Sequence, residues 1–341
     1  MLGIGVIGCG YWGPNVIRNF AQIRNCHLVG VADADAERLE PIQRLYPTVR
    51  VTTSADELMA LDGIDAVVVA TPIETHYWLA RAALRRGKHV WVEKPLTETV
   101  AESEELIDLA EKHQRILMVD HTFIYSGPVR KIRELIEAGE LGEIYYYDAV
   151  RINLGLFRRD LNVLWDLAPH DFSIMSYLID KDPVSVSAVG SAPVRWDGWR
   201  RESIAYITVE YGDGMLAHMH VNWLSPVKIR RILIGGSRKI VVYDHLDPDN
   251  QVKIFDKGVD AITDHDRRRM LVQYRTGDMH APKIDQTEAL EVACKHFIEC
   301  IQTGRPPLTD GRAGLKVVQL LEAAQQSLEK RSAIAHSTLG V

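Results

Sequence analysis

Cysteine is scarce in this chain and never paired in sequence. Cys9, Cys26, Cys294 and Cys300 are the four cysteines in 341 residues, and no two form a C-x-x-C pair. That argues against a disulfide framework and against a structural zinc site, so no metal is expected. Free thiols in a reducing, cytoplasmic setting are the expectation. No apolar stretch is long enough to span a bilayer, and the N-terminus shows no signal-peptide pattern, because Met1 leads straight into a strand. An excess of positive charge is missing too: 40 Lys and Arg stand against 46 Asp and Glu, a net charge of −6, which argues against nucleic acid as the main partner. There is no internal repeat and no low-complexity tract. What remains is an ordinary globular composition, 46% hydrophobic and 25% charged, in a chain long enough for two domains.

The first third alternates strand and helix patterns. Strands are expected at 3–7, 27–32, 66–70, 89–92 and 116–119, with helical patterns near 13–24, 35–46, 54–61, 75–86 and 99–113. The runs Ala66-Val67-Val68-Val69-Ala70 and Ile116-Leu117-Met118-Val119 are short and continuously apolar, as strands buried on both faces are. Such alternation predicts a doubly wound parallel sheet over residues 1–121. Beyond it, a helix near 127–138 is followed by β-rich segments at 143–153, 184–192, 203–210, 215–223, 228–234 and 238–244. Several alternate in polarity, and Tyr211-Gly212-Asp213-Gly214 reads as a hairpin turn between two of them. The fold class is therefore α/β, with a second domain over 122–341 built on a large, mostly antiparallel open sheet. The uncovered face of that sheet must be hidden somewhere, and another copy of the chain, a homo-oligomer, is a common solution. Helices near 286–303 and 311–330 end the chain, and the polar stretch 256–283 reads as a long loop.

The first chemistry-bearing motif is Gly8-Cys9-Gly10-Tyr11-Trp12-Gly13, set between a strand and a helix. In a G-x-G-x-x-G turn the first glycine allows the tight turn, the second lets backbone approach a diphosphate, and the third lets helix pack on strand. The helix N-terminus then offers free N–H groups to the phosphates. A second apolar run ends on Asp33, twenty residues past Gly13, the place for an acid that accepts from ribose hydroxyls. That carboxylate favours NAD over NADP, with Arg38 as the residue that could admit NADP; Asp35 reads as a helix cap. The third strand runs into Thr71-Pro72-Ile73-Glu74-Thr75-His76 at the carboxyl edge of the sheet, where Thr71 and His76 could reach the cofactor.

Glu93-Lys94-Pro95 ends the fourth strand at the same edge, where a nicotinamide would lie. An ammonium there can stabilise an alkoxide as it forms. The second constellation is Trp165-Asp166-Leu167-Ala168-Pro169-His170-Asp171. Proline is tolerated in a first helical turn, so the helix is expected to start near Asp166, with Asp166 and His170 one above the other. An imidazole of pKa about 6.5 can trade a proton near neutrality, oriented by a carboxylate. From spacing alone, Asp166 reads equally as an N-cap and His170 as a satisfied core histidine. The segment before this helix carries Arg151, Asn153, Arg158, Arg159, Asp160 and Asn162, which read either as an anion clamp or as a solvated loop. Tyr125 and His121, leaving the last strand of the first sheet, are further candidates for the pocket wall. Arg267-Arg268-Arg269 reads as a solvated run.

Together, Gly8-x-Gly10-x-x-Gly13, Ala70-Thr71-Pro72, His76, Glu93-Lys94-Pro95 and the Asp166-x-x-x-His170 spacing resemble the glucose–fructose oxidoreductase and inositol dehydrogenase (Gfo/Idh/MocA) family across nearly the whole chain. The resemblance implies Lys94, Asp166 and His170 as the catalytic group. It implies cofactor contacts from the glycine turn, Tyr11 and Trp12 included, from Asp33, Thr71, Pro72 and His76, and from Glu93, Lys94 and Trp165. Lys94 and His170 would then hold the substrate, with His121, Tyr125, Asn153, Arg158, Arg159 and Asn162 as candidates by position for the rest of its pocket, and the resemblance implies that the second-domain sheet forms a homodimer or homotetramer interface. Gly10-Tyr11-Trp12-Gly13-Pro14-Asn15, His121-Thr122-Phe123-Ile124-Tyr125 and Asn153-Leu154-Gly155-Leu156-Phe157 resemble its nucleotide-sugar branch, and Pro169 departs from the family pattern.

The expected activity is hydride transfer to or from a secondary alcohol or ketone of a sugar, such as a UDP-N-acetylhexosaminuronate or a dTDP-ketosugar. A cyclitol or aminosugar dehydrogenase is the alternative, and a glycosidase acting through transient oxidation is a further rival. Another class is a non-catalytic NAD(H)-binding sensor, against which the intact Lys94, Asp166 and His170 argue.

Overall fold

The computed structural model describes residues 1–155, 157–158, 160–194, 200–260 and 273–338. Two compact units emerge: Met1–Ser126 with Thr287–Gln319, and Gly127–Gln286 with Leu320–Val341.

The first unit is a six-stranded parallel sheet of β1 (Leu2–Ile7), β2 (Cys26–Ala32), β3 (Arg50–Thr52), β4 (Ala66–Val69), β5 (His89–Glu93) and β6 (Leu117–Asp120). Their order, β3-β2-β1-β4-β5-β6, is the doubly wound arrangement that reverses direction at β1 and β4. All four residues of β4 are fully buried, which is why its pattern is continuous rather than alternating. The helices α1 (Gly13–Gln22), α2 (Ala36–Leu45), α3 (Ala55–Met59), α4 (Ile73–Arg85) and α5 (Val100–Lys112) cross between strands. Side chains of Asp35, Ser54 and Thr99 accept from the N–H groups of Glu37, Glu57 and Glu102 and so start α2, α3 and α5. Gly87, at φ +71°, follows the end of α4, a conformation natural to glycine. A short 3-10 helix, Thr122–Tyr125, closes the continuous part of the unit.

The second unit holds α6 (Gly127–Glu137), β7 (Ile144–Leu154), α7 (Val163–Leu178), β8 (Pro183–Ser191), β9 (Ile204–Tyr211), β10 (Leu216–Asn222), β11 (Leu224–Gly236), β12 (Ile240–Asp244), β13 (Val252–Asp260) and β14 (Gln273–His280). They form one eight-stranded sheet, β14-β13-β12-β11-β7-β10-β9-β8, in which the β7 and β10 pair is parallel and the other pairs antiparallel. The expected hairpin joins β9 to β10, with Gly214 at φ +88°. Ala205, Ile207, Val209, Ala217, Met219 and Val221 are buried on the face that α7 covers, whereas Tyr206 and Leu216 of the other face are 44% and 48% exposed.

Three expectations are corrected and one strand is added. The chain does not divide once near residue 121: α8 (Ala289–Thr303) and the start of α9 (Gly311–Thr338) return to the first unit. Aromatic packing explains it, because the Phe297 ring lies 5.5 Å from Trp91 and 6.3 Å from Phe20, and Arg18 pairs with Glu288 at 2.6 Å. The stretch 256–283 is not one loop, since β13 and β14 reach into it; charged side chains along these strands obscured the pattern. Strand β3 was not expected, having three residues and an edge position. Helix α7 starts at Val163 rather than near Asp166, with Pro169 inside it. No helix among the described residues is long and apolar enough to cross a membrane.

Candidate active site

The glycine turn has the geometry its spacing implies. Gly8 sits at φ +105°, and a Cβ there would lie 2.3 Å from the Ala70 carbonyl oxygen. A Cβ on Gly13 would lie 2.1 Å from the Gly8 carbonyl oxygen, so only glycine lets α1 pack this close to β1. Gly10 differs: the nearest atom to its added Cβ, Arg38 Nη1, is 3.7 Å away. Its side is open, as a backbone that receives a diphosphate requires. Asp33, at the end of β2, is buried and held by two backbone donors, Cys9 N–H to Oδ2 at 2.6 Å and Asp35 N–H to Oδ1 at 2.9 Å. Burial and the Asp33 charge push the Cys9 thiol up to about 12, so it stays protonated. Arg38 pairs with Asp35 at 3.2 Å. The open glycine, the acid fixed at the end of β2 and the start of α1 fit a dinucleotide.

His76 is fully committed. Its Nδ1 lies 2.8 Å from the Pro95 carbonyl oxygen and its Nε2 2.9 Å from that of Thr71. Burial lowers its pKa while the two carbonyls raise it. It ties the loop after β4 to the turn that carries Lys94, instead of presenting an imidazole to a ligand. Thr75 Oγ1 donates to Thr71 Oγ1 at 2.7 Å, which sets the Thr71 hydroxyl at the sheet edge. Lys94 is half-buried at the end of β5, and its peptide bond to Pro95 is cis.

Beside Lys94 stands a residue that the sequence reading missed. Asp120 ends β6 in register with Glu93, accepts from Trp12 Nε1 at 3.2 Å and from Thr122 Oγ1 at 2.7 Å, and is 1% exposed. Its signal was present, an acid closing the apolar run Leu117-Met118-Val119 as Asp33 closes β2. His121 is also 1% exposed, and its pKa is pushed down to about 3 by burial first and the Lys94 charge second. Tyr125 was expected in the pocket wall but belongs to the core: it is 2% exposed and its hydroxyl lies 3.0 Å from Thr309 Oγ1. The 3-10 turn after β6 swings its ring inward, 5.4 Å from that of His296.

In the second unit, Asn162 caps α7 by accepting the Trp165 N–H at 3.1 Å. Its amide donates to Glu202 and Gln325 at 3.0 and 2.9 Å, so this buried residue anchors the helix and not a substrate. Asp166 and His170, both half-buried, follow at i and i+4 on α7, and Trp165 is half-buried in its first turn. Trp223, another residue the sequence reading missed, donates its indole N–H to Asp166 Oδ2 at 3.1 Å. Arg151 and Asp171 form a bidentate pair at 2.8 and 2.9 Å, with side chains 5% and 3% exposed. Arg151 thus fixes α7 beside His170. Arg158 holds Asp160 at 3.1 and 2.6 Å and stands 3.8 Å from Asp166. Asn153 is half-buried near the end of β7. Arg159 and Arg267-Arg268-Arg269 lie outside the described residues.

Known proteins complete the picture. Residues 2–121 match the NAD-binding Rossmann-fold model of the Gfo/Idh/MocA oxidoreductase family, and residues 133–335 match its C-terminal alpha/beta domain model. The UDP-N-acetylglucosamine 3-dehydrogenase of Acidithiobacillus ferrooxidans is 28% identical over 92% of this chain and 93% of its own. Its solved structure superposes with a TM-score of 0.81, covering 96% of this chain and 98% of that one. The myo-inositol 2-dehydrogenase of Thermotoga maritima is 25% identical, with 97% of each chain covered. The WlbA dehydrogenase of Bordetella pertussis, 21% identical, shares the fold with a TM-score of 0.79 over 96% of each chain. With both family models matched in order along its length, this chain belongs to the Gfo/Idh/MocA family of oxidoreductases.

Proposed function

We propose that this oxidoreductase moves a hydride between NAD and a secondary alcohol carbon of a sugar, in the first instance a nucleotide-linked one. The observation that carries this reading is the similarity to UDP-N-acetylglucosamine 3-dehydrogenase across 92% of the chain. The arginines before α7 do not add to it, because Arg158 is engaged with Asp160 and Asp166. NAD is favoured over NADP since Asp33 would face a 2′-phosphate with a carboxylate, and Arg38 is paired with Asp35.

In the proposed reaction Lys94 and His170 hydrogen-bond the substrate hydroxyl. Bound NAD supplies the hydride acceptor. His170 takes the hydroxyl proton while the carbon gives up its hydride and becomes a carbonyl. The Lys94 ammonium stabilises the developing oxyanion. Asp166, steadied by the Trp223 indole, orients His170. In reduction His170 returns the proton. The exposed face around Tyr206 and Leu216 supports self-association through the second sheet.

The test is NADH formation with a panel of UDP- and dTDP-sugars and myo-inositol. Turnover of a nucleotide sugar supports the reading. Turnover of inositol alone, which the inositol dehydrogenase likeness favours, replaces it with cyclitol oxidation. His170→Ala is expected to lower kcat about a hundred- to ten-thousand-fold while NAD affinity holds; unchanged turnover overturns the assignment.

A further inference from the structure

β5 and β6 end side by side, with Glu93 paired to Asp120 in register. Both are buried, at 9% and 1% exposure, and Glu93 Oε1 meets no hydrogen-bond partner, an orphan oxygen that a proton directed at the neighbouring Asp120 would satisfy. Two ionised carboxylates carry acceptors only, so a hydrogen bond between them requires one proton. Asp120 already accepts from Trp12 and Thr122, which suits the ionised member, and Glu93 is then the donor. Burial first, and the Asp120 charge second, raise Glu93 well above the ordinary carboxylate range.

The groups facing this pair leave little else to titrate. Cys294 of α8 and Tyr125 of the 3-10 helix are pushed up by burial, and His121 is pushed down, so all three are neutral across the working range. Lys94 is the charged neighbour.

The two ends of the pair lead to different parts of the cofactor half-site. Glu93 immediately precedes Lys94. Asp120 holds the indole of Trp12, the residue from which α1 begins. We propose that Glu93 and Asp120 share a single proton and act as a proton-dependent clasp, joining the glycine turn to the lysine turn. With the proton present, Asp120 keeps Trp12 in place and Glu93 keeps the base of Lys94 in place. When it leaves, two adjacent buried charges repel, the pair parts, and both turns loosen. Glu93, Asp120 and Trp12 are then positioning residues for NAD. The clasp rests on the dinucleotide reading of the glycine turn and is indifferent to the sugar.

The test is the NAD dissociation constant by titration calorimetry from neutral to alkaline pH, together with the infrared band of a protonated carboxyl. Wild-type affinity is expected to weaken about tenfold as pH rises, the worth of one charge-assisted hydrogen bond. Glu93→Gln cannot ionise and is expected to give a profile without slope and without the carboxyl band, whatever its absolute affinity. Trp12→Phe is expected to be flat at the weak value. A wild-type profile without slope, or no carboxyl band, overturns the proposal. A slope that survives in Glu93→Gln belongs to Lys94 and overturns it as well. Absence of NAD binding at every pH overturns the dinucleotide reading and the clasp's function together, whereas pH-linked NAD binding without turnover of any sugar leaves the clasp supported and sinks the substrate reading alone.

Discussion

The Arg151–Asp171 pair offers a sharp test, because its two partners behave oppositely when removed singly and together. Both side chains are within 5% of full burial, and two parallel hydrogen bonds of 2.8 and 2.9 Å join them. Asp171→Ala leaves a guanidinium buried without its counter-charge, and Arg151→Met leaves a carboxylate so. Each is expected to cost about 3–5 kcal/mol, a large part of an ordinary domain's roughly 5–15 kcal/mol. The apolar double variant, Arg151→Met with Asp171→Leu, removes both charges and their desolvation penalty, and is expected to fall within about 1 kcal/mol of wild type or above it. The assay is urea unfolding followed by circular dichroism and by tryptophan emission, whose coincidence licenses free energies. Activity separates from stability here. Asp171 follows His170 on α7, so the double variant keeps a folded sheet while losing the link that fixes the helix's rotation. Its kcat is expected to fall while NAD affinity, set in the first unit, does not. Single variants costing less than about 1 kcal/mol would show that water reaches the pair and that burial has been misjudged.

The glycine turn predicts a split between folding and binding. Gly13→Ala drives a Cβ to 2.1 Å from a backbone oxygen and is expected to lower stability by about 1–3 kcal/mol in thermal unfolding, whereas Gly10→Ala meets nothing nearer than 3.7 Å and is expected to weaken NAD binding alone. His121 predicts acid sensitivity. Its imidazole takes a proton below about 6.5 in the unfolded chain and only near about 3 in the folded one, so stability is full above the upper value and is lost as pH falls between the two. At 1.36 kcal/mol per pH unit that gap amounts to about 5 kcal/mol, and His121→Gln should flatten the pH–stability curve in this range. Asn162→Ala removes the α7 cap and is expected to cost about 1–2 kcal/mol, with kcat falling through the helix it anchors; an unchanged kcat would show that α7 is held from its other end.

Much of the fold was legible because its signals are local. Strand β4 is apolar at every position since both of its faces are covered, and β9 and β10 alternate since one of theirs is not. The glycine turn was legible for the same reason, as three close approaches within six residues. What escaped depends on distant partners. Nothing near residue 289 announces that α8 packs its Phe297 against Trp91, so the domain boundary was drawn once where the chain crosses it more than once. Proline placed the start of α7 too late, because a buried Asn162 with three partners outweighs the single backbone hydrogen bond that Pro169 forfeits.

The same distinction separates where a candidate residue stands along the chain from what its side chain meets. A spacing rule fixes where along an element a side chain leaves the backbone, and not which way the side chain then turns. Asn162, Arg151 and Tyr125 stand near the expected positions, but each turns into the protein, to Gln325, Asp171 and Thr309. Each partner lies far away in sequence or on another element. A polar residue before α7 can serve either of two tasks, touching a ligand or holding the helix, and burial tells them apart. Residues with a full set of protein partners, as Asn162 has, belong to the frame. By that criterion the frame of this site includes Asn162, Arg151, Asp171 and Trp223, and substitutions there should act on kcat through α7, while substitutions around Gly10 and Asp33 should act on the cofactor.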